Sequence, residues 1–234
     1  MQVRVGYGVG VAVQAVVLTA VLAGCGQSSD GDRKASASAA ATATADGAGG
    51  KGTAAESGGT VGAADSACEL PVSFAVARHW KAESIDTGEE SAKASDGPDG
   101  GLSKALADSL LRQGPVTAAC EIDAKPAGHI GFLRVWTGEP GDADARSVLR
   151  AFVAAEDNVS EERYRDVKTG GGVAGVEVEY LYTSKLLDET KKERALSVAT
   201  PDGPVVLHLG GMDTEEHEAM LPAYELAKRT LRVT

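Results

Sequence analysis

The sequence predicts an α+β domain: an antiparallel β-sheet flanked by helices. Three observations carry that prediction. Val176, Val178, Tyr180 and Tyr182 alternate with Glu177, Glu179 and Leu181, the period of a strand. Two apolar runs, 194–200 and 205–209, flank Pro201-Asp202-Gly203, which reads as a hairpin turn. Two segments carry helical apolar stripes behind capping residues, one before and one after this run of strands. Hairpins with a terminal helix give a sheet with helices packed on it rather than a doubly wound parallel fold.

The elements follow in order. Val72, Phe74 and Val76 alternate with Ser73, Ala75 and Ala77 to make a first strand, closed by His79-Trp80. Residues 86–101 hold no large apolar side chain and read as a solvated loop. Leu102, Leu106 and Leu110 recur every fourth residue, predicting a short helix over 102–112 that Gly114-Pro115 ends. A strand from Val116 to Ile122 carries Cys120. The run from His129 to Thr137 is apolar on both parities, as suits a central strand covered on both faces. Asp142 or Asp144 caps a helix over 143–157 with the stripe Ala145, Val148, Leu149, Phe152 and Val153. Arg163 to Val167 is a short strand, and Gly170-Gly171-Gly172 a turn. Asp213-Thr-Glu-Glu216 has the spacing of a capping box and starts the last helix. Pro222 kinks that helix or restarts it.

Before the domain the composition changes. Residues 26–67 are built from Ala, Gly, Ser, Thr and Asp and offer Val61 as their one larger aliphatic. Such a stretch buries too little surface to offset chain entropy, so 25–67 read as a disordered tether and 68–234 as a single domain. Ahead of the tether, Gly8 to Leu22 is apolar apart from Gln14 and Thr19, and Arg4 is the one charge in residues 1–24. That length suits the h-region of a signal peptide better than a membrane span.

Leu22-Ala23-Gly24-Cys25, followed by Gly26, resembles the lipobox of bacterial lipoproteins. The resemblance implies cleavage after Gly24, a diacylglyceryl group on the Cys25 sulfur, palmitate-type acylation and a lipid-anchored protein on the extracytoplasmic face of the cell membrane. Two acyl chains anchor stably where one does not. Export also bears on Cys68 and Cys120, since an oxidising compartment favours a Cys68–Cys120 disulfide, worth about 4 kcal/mol by chain entropy. The other reading is two free buried thiols.

Val72-Ser-Phe-Ala-Val followed by Trp80, with the later meander and a closing helix over 223–233, resembles the PsbP/Mog1-like family, whose members include actinobacterial envelope lipoproteins. The resemblance implies a sandwich used for binding or assembly, with no catalytic residues to carry over. The family's usual approach to the Trp is here Ala77-Arg78-His79-Trp80.

Function classes narrow by charge and motif. The chain has 23 Lys and Arg against 34 Asp and Glu, a net charge of −11, which argues against nucleic acid and against direct adsorption to anionic lipid. Gly170 to Gly175 matches G-x-G-x-x-G, but a strand follows where a dinucleotide site needs a helix N-terminus. His217-Glu218 opens like a zincin helix without its second histidine and reads as an exposed polar face. Asp213, Glu215, Glu216 and Glu218 could gather a cation, yet acids suit a helix N-terminus for dipole reasons alone. His79, His129 and His208 lie beside apolar residues and read as structural. Tyr180 and Tyr182 line either a groove or the core, and Trp80 and Trp136 are either core residues or partner anchors. No catalytic residue, cofactor or metal site is assigned. The reading is a membrane-tethered, non-enzymatic accessory module binding an envelope protein or the cell wall; the alternatives are a small-ligand carrier, or an enzyme whose site no local motif marks.

Overall fold

A computed structural model describes residues 54–88 and 111–234. The signal peptide expected over 1–24, Cys25, most of the loop expected over 86–101 and most of the helix expected over 102–112 lie outside the described residues.

The strands are β1 (Ser57–Val61), β2 (Val72–Ala77), β3 (Lys81–Ser84), β4 (Arg112–Gln113), β5 (Val116–Asp123), β6 (Gly131–Thr137), β7 (Val159–Lys168), β8 (Ala174–Ser184), β9 (Glu189–Thr200), β10 (Gly203–Gly211) and β11 (Arg232–Val233). The helices are α1 (Ala145–Ala154) and α2 (Thr214–Thr230). The large sheet runs β3-β5-β6-β10-β9-β8-β7, with β4 on β5, and the small sheet runs β1-β2-β11. Every strand pair in both sheets is antiparallel. The domain is therefore the α+β sandwich expected.

The large sheet is covered on both faces. On one, Val148, Leu149, Phe152 and Val153 of α1 pack on Val176, Val178, Tyr180, Ala195 and Val206. On the other, α2 and the small sheet together cover Leu133, Val135, Leu196, Val205, Leu207 and Leu209. Both helices start at the expected caps. Asp144 accepts from the Arg146 and Ser147 amides at 2.9 and 3.0 Å, and Asp213 from the Glu216 amide at 2.8 Å. Glu215 and Glu216 sit in the first turn of α2 and Lys228 and Arg229 in its last, complementing the helix dipole. The helix runs on through Pro222, whose carbonyl accepts from the Ala55 amide at 3.2 Å.

One irregularity decides where a cysteine points. Along β5, Val116 and Ala118 face α1, while Cys120 and Ile122 face α2 and the small sheet. A bulge between Ala118 and Cys120 shifts the register and reverses the parity. Cys120 thereby faces Cys68, and the two are joined by a disulfide with Cα atoms 5.9 Å apart.

The boundary at Cys68 is corrected. Ser57–Val61 pairs with β2, from Ser57 opposite Ala77 to Val61 opposite Phe74. Val61 is buried in the main core, and the Ala55 amide bonds to α2. The order of the domain thus reaches at least to Ala54. The composition misleads because this strand docks through its backbone. Gly62 holds φ +100°, and a Cβ there would lie 1.9 Å from the Val72 carbonyl oxygen. The glycines that read as disorder are what allow two chains to meet so closely.

Candidate functional site

Three places gather polar chemistry, and each is built from strand or helix periodicity. The first is a buried cluster under α1. Tyr180 on β8, Glu193 on β9 and His208 on β10 come together because Glu193 is opposite Tyr180 in the β8–β9 ladder and all three face α1. The His208 Nε2 lies 2.8 Å from the Glu193 carboxylate and 3.2 Å from the Tyr180 hydroxyl. Lys191 Nζ reaches the other Glu193 oxygen at 2.8 Å and donates to the Gly211 carbonyl at 2.6 Å. Burial alone would lower the His208 imidazole, but the Glu193 carboxylate outweighs it and holds it above its ordinary value. Burial alone would raise Glu193, yet His208 and Lys191 hold it below the usual carboxylate range. Glu156, just past α1, is raised by burial, and Tyr180 is raised far above its ordinary value by burial and by Glu156. The array resembles a charge-relay set in its members, but Tyr180, Glu193 and His208 are 2%, 3% and 6% exposed. Side chains this deeply buried and bonded to one another make a buried ion pair with a tyrosine beside it.

The second is its counterpart on the α2 face. Glu177, 1% exposed, accepts from Arg165 Nε at 2.6 Å and from Lys228 Nζ at 3.1 Å. Lys228 also reaches Glu225 at 2.6 Å, and Arg194 bridges Glu179 at 2.8 Å and Glu225 at 3.4 Å. Tyr224 is fully buried beside Glu177, and burial together with that carboxylate raises its hydroxyl well above the ordinary value. Glu177 itself ends lowered, since Lys228 and Arg165 overcome the effect of burial.

The third is a groove of about 250 Å³ beside the start of β1, lined by Trp80, His129, Met220, Pro222, Ala223 and the Arg78–Glu56 pair among others. Trp80 is half-buried there. His129 Nδ1 lies 3.2 Å from the Glu216 carboxylate, and Arg78 bonds Glu56 at 3.0 Å. A mixed polar and apolar lining with an aromatic side and a charged rim suits a protruding side chain of a partner. A second hollow of about 210 Å³ lies over β7, β8 and β9 among Glu161, Arg163, Leu181 and Lys192, and Tyr180 and Glu193 of the buried cluster border it. Both fall short of the roughly 300–1,000 Å³ of small-molecule sites.

Other residues singled out by sequence are placed as follows. Trp136 is in the core, edge-on to Phe152 at 5.5 Å between centroids. Tyr182 lies under Lys191, 5.6 Å from its ring centroid. His79 is exposed, at φ +68°. The acids around residue 213 are committed: Asp213 caps, Glu216 meets His129, and Glu218 pairs with Lys192 at 2.5 Å. Gly170-Gly171-Gly172 is a turn on the end of α2, where a Cβ on Gly170 would meet the Arg229 carbonyl at 1.5 Å. His217 is a correction: it is 1% exposed, and burial holds it down to about 4. Its face of α2 turns onto the sheet rather than to solvent. Glu177 was legible only as the polar half of strand alternation, and Glu193 fell just ahead of the run read from Arg194. Helices on both faces make that half an interior too.

A family described as uncharacterised lipoprotein matches residues 37–231. Among solved structures, the solution structure of cyanobacterial PsbP from Synechocystis sp. PCC 6803 is similar at 11% identity and a TM-score of 0.45, covering 80% of this chain and 98% of that one. No curated protein matches the sequence.

Proposed function

The chain belongs to a family of uncharacterised lipoproteins, and from that premise we propose that it is a non-enzymatic accessory module of the cell envelope, lipid-anchored through Cys25 on the extracytoplasmic face and presenting its domain to an envelope protein or the cell wall. The observation that carries the reading is where the reactive side chains lie. The one His–Glu–Tyr array among the described residues is buried under α1 and paired within itself. The half-buried aromatic, Trp80, stands instead in an open groove with a charged rim. Chemistry is thus spent inside the fold and recognition is offered outside it.

The test has two arms. Cys25→Ala should remove radiolabelled acyl chains and membrane partitioning, and equal acyl labelling of the variant would overturn the anchor. A photo-crosslinking residue at Arg78, beside Trp80, should give a discrete adduct in intact envelopes that Trp80→Ala abolishes. An Arg78 adduct pattern no different from that of the same residue at Asp202, in the β9–β10 turn, would overturn the groove as the recognition site.

A further inference from the structure

The β8–β9 hairpin ends in Ser184-Lys185-Leu186-Leu187-Asp188, where turn chemistry normally calls for Gly, Asn, Asp or Ser at every position. Leu186 is 93% exposed and Leu187 66%. The hairpin also outruns its neighbours. Pairing of β9 with β10 stops at Arg194 opposite Leu209, and pairing of β7 with β8 begins at Val159 opposite Tyr182. Pairing of β8 with β9 continues through Thr183–Thr190 to Ser184–Glu189. Beyond the bond from the Thr183 amide to the Asn158 carbonyl at 3.1 Å, the last residues of the hairpin are held by each other, with the two threonine hydroxyls 2.9 Å apart and the Leu187 amide on the Ser184 hydroxyl at 3.3 Å.

The ladders fix which end of the domain this is. Gly211 is opposite Gly131, Phe132 opposite Asp123, and Lys81 opposite Asp123 on its other side. The β5–β6 turn, the β10–α2 junction and the β2–β3 corner thus all lie at the hairpin's end of the sheet. Two further exposed apolar side chains stand there, Ile130 (52%) and Met212 (51%), adjacent through the Met212 amide on the Ile130 carbonyl at 2.9 Å. The same end receives the N-terminal chain, because Ser57 is opposite Ala77, just before the β2–β3 corner.

We propose that this end faces the membrane, with Leu186 and Leu187 at the hairpin tip inserted into the lipid interface and Ile130 and Met212 resting on it. The proposal rests on the lipid-anchored reading above, and it sets the Trp80–His129 groove, which lies at this same end, close to the bilayer, so that the partner it takes is an envelope protein at the membrane surface. The point where the N-terminal chain enters selects lipid over a protein partner. The chain that carries the Cys25 lipidation motif joins the domain at this very end. A domain held by its N-terminal chain presents that end to the bilayer at an effective concentration on the order of millimolar, so a weak contact is populated. The net charge of −11 opposes adsorption by Coulomb attraction, which leaves apolar insertion as the means of contact.

The experiment uses the full-length lipidated protein on vesicles of phosphatidylethanolamine and phosphatidylglycerol. With Cys25 acylated and Cys68 bridged to Cys120, a thiol introduced by Leu186→Cys or, at the opposite end, Asp202→Cys takes an environment-sensitive fluorophore. The Leu186 position should shift to blue, brighten several-fold and be quenched by spin-labelled lipid, while the Asp202 position stays aqueous. Adding Leu187→Glu should return the Leu186 position to aqueous emission with the melting transition unchanged. Aqueous emission at Leu186 from protein that floats with the vesicles would overturn the insertion and leave the anchor standing. Equal blue shifts at both positions would overturn it as well. Protein that carries no acyl chain and does not float would remove the anchor and this proposal together.

Discussion

The two faces of the large sheet bury similar apolar stripes and handle charge in opposite ways. Under α1 the buried charge is closed within the sheet: Glu193, His208 and Lys191 come from adjacent strands, the helix buries only apolar side chains, with Glu156 just beyond its end, and its Arg146 meets Asp166 of β7 at the exposed margin. Under α2 the charge crosses between layers: Lys228 and Glu225 of the helix meet Glu177 and Arg194 of the strands. The histidines diverge in the same way. His208 is raised by its carboxylate partner, whereas His217, with an unpartnered Nδ1 in the interior, is lowered by burial. A pair made within one sheet is fixed by register; a pair made between layers also fixes how the helix sits.

The sharpest way to break this contrast is to remove one partner from each face. Glu193→Ala leaves His208 and Lys191 together without their carboxylate, and should cost about 3–5 kcal/mol in urea unfolding. Lys228→Ala leaves Glu177 its Arg165 partner and should cost about 2 kcal/mol. Equal losses would mean that the two networks are not closed in different ways.

Acid should separate the faces next. A base whose folded pKa is lowered binds its proton first in the unfolded chain. Stability is therefore lost as pH falls from 6.5 toward about 4, by about 3 kcal/mol for His217. Glu193, Arg194, His208 and Glu179 surround it, and His208 works the other way, since a raised base adds stability below its unfolded value. His217→Leu should flatten the acid limb of a melting-temperature profile over that window. A variant curve parallel to the parent would show that His217 does not titrate with folding.

The smallest effect concerns the helix starts. Asp144→Ala and Asp213→Ala each remove one side-chain cap; Asp213→Ala should cost about 1 kcal/mol, and Asp144→Ala should lower the melting temperature without changing the fold. A much larger loss at Asp213 would show that the α2 start also holds its face's ion pairs in place.

How far the sequence could be read follows from what each element uses to hold its place. The α1 stripe, both aspartate caps and the β8–β10 meander were legible because periodicity and turn chemistry are local. The Cys120 direction was not: β5 reads as one unbroken alternation, and the bulge that turns its second half is a matter of register with β6. β1 was invisible because Ser57-Gly-Gly-Thr-Val61 contributes Val61 to the core and otherwise only backbone. The buried state of His217 and Glu177 depends on α2 and β2 arriving from distant parts of the chain to close a face that alternation marked as polar.

The Cys68–Cys120 link has a mechanical consequence. A pull through the N-terminal chain arrives first at β1, an edge strand whose bonds to β2 come next in line. Peeling that strand frees only the residues ahead of Cys68. There the strain passes through the sulfur bridge into β5, which is paired to β3, β4 and β6 within the large sheet. The load therefore meets several strands at once instead of unravelling β2 from its end. The first strand acts as a yielding fuse, and the covalent link behind it sets how far the domain gives under tension.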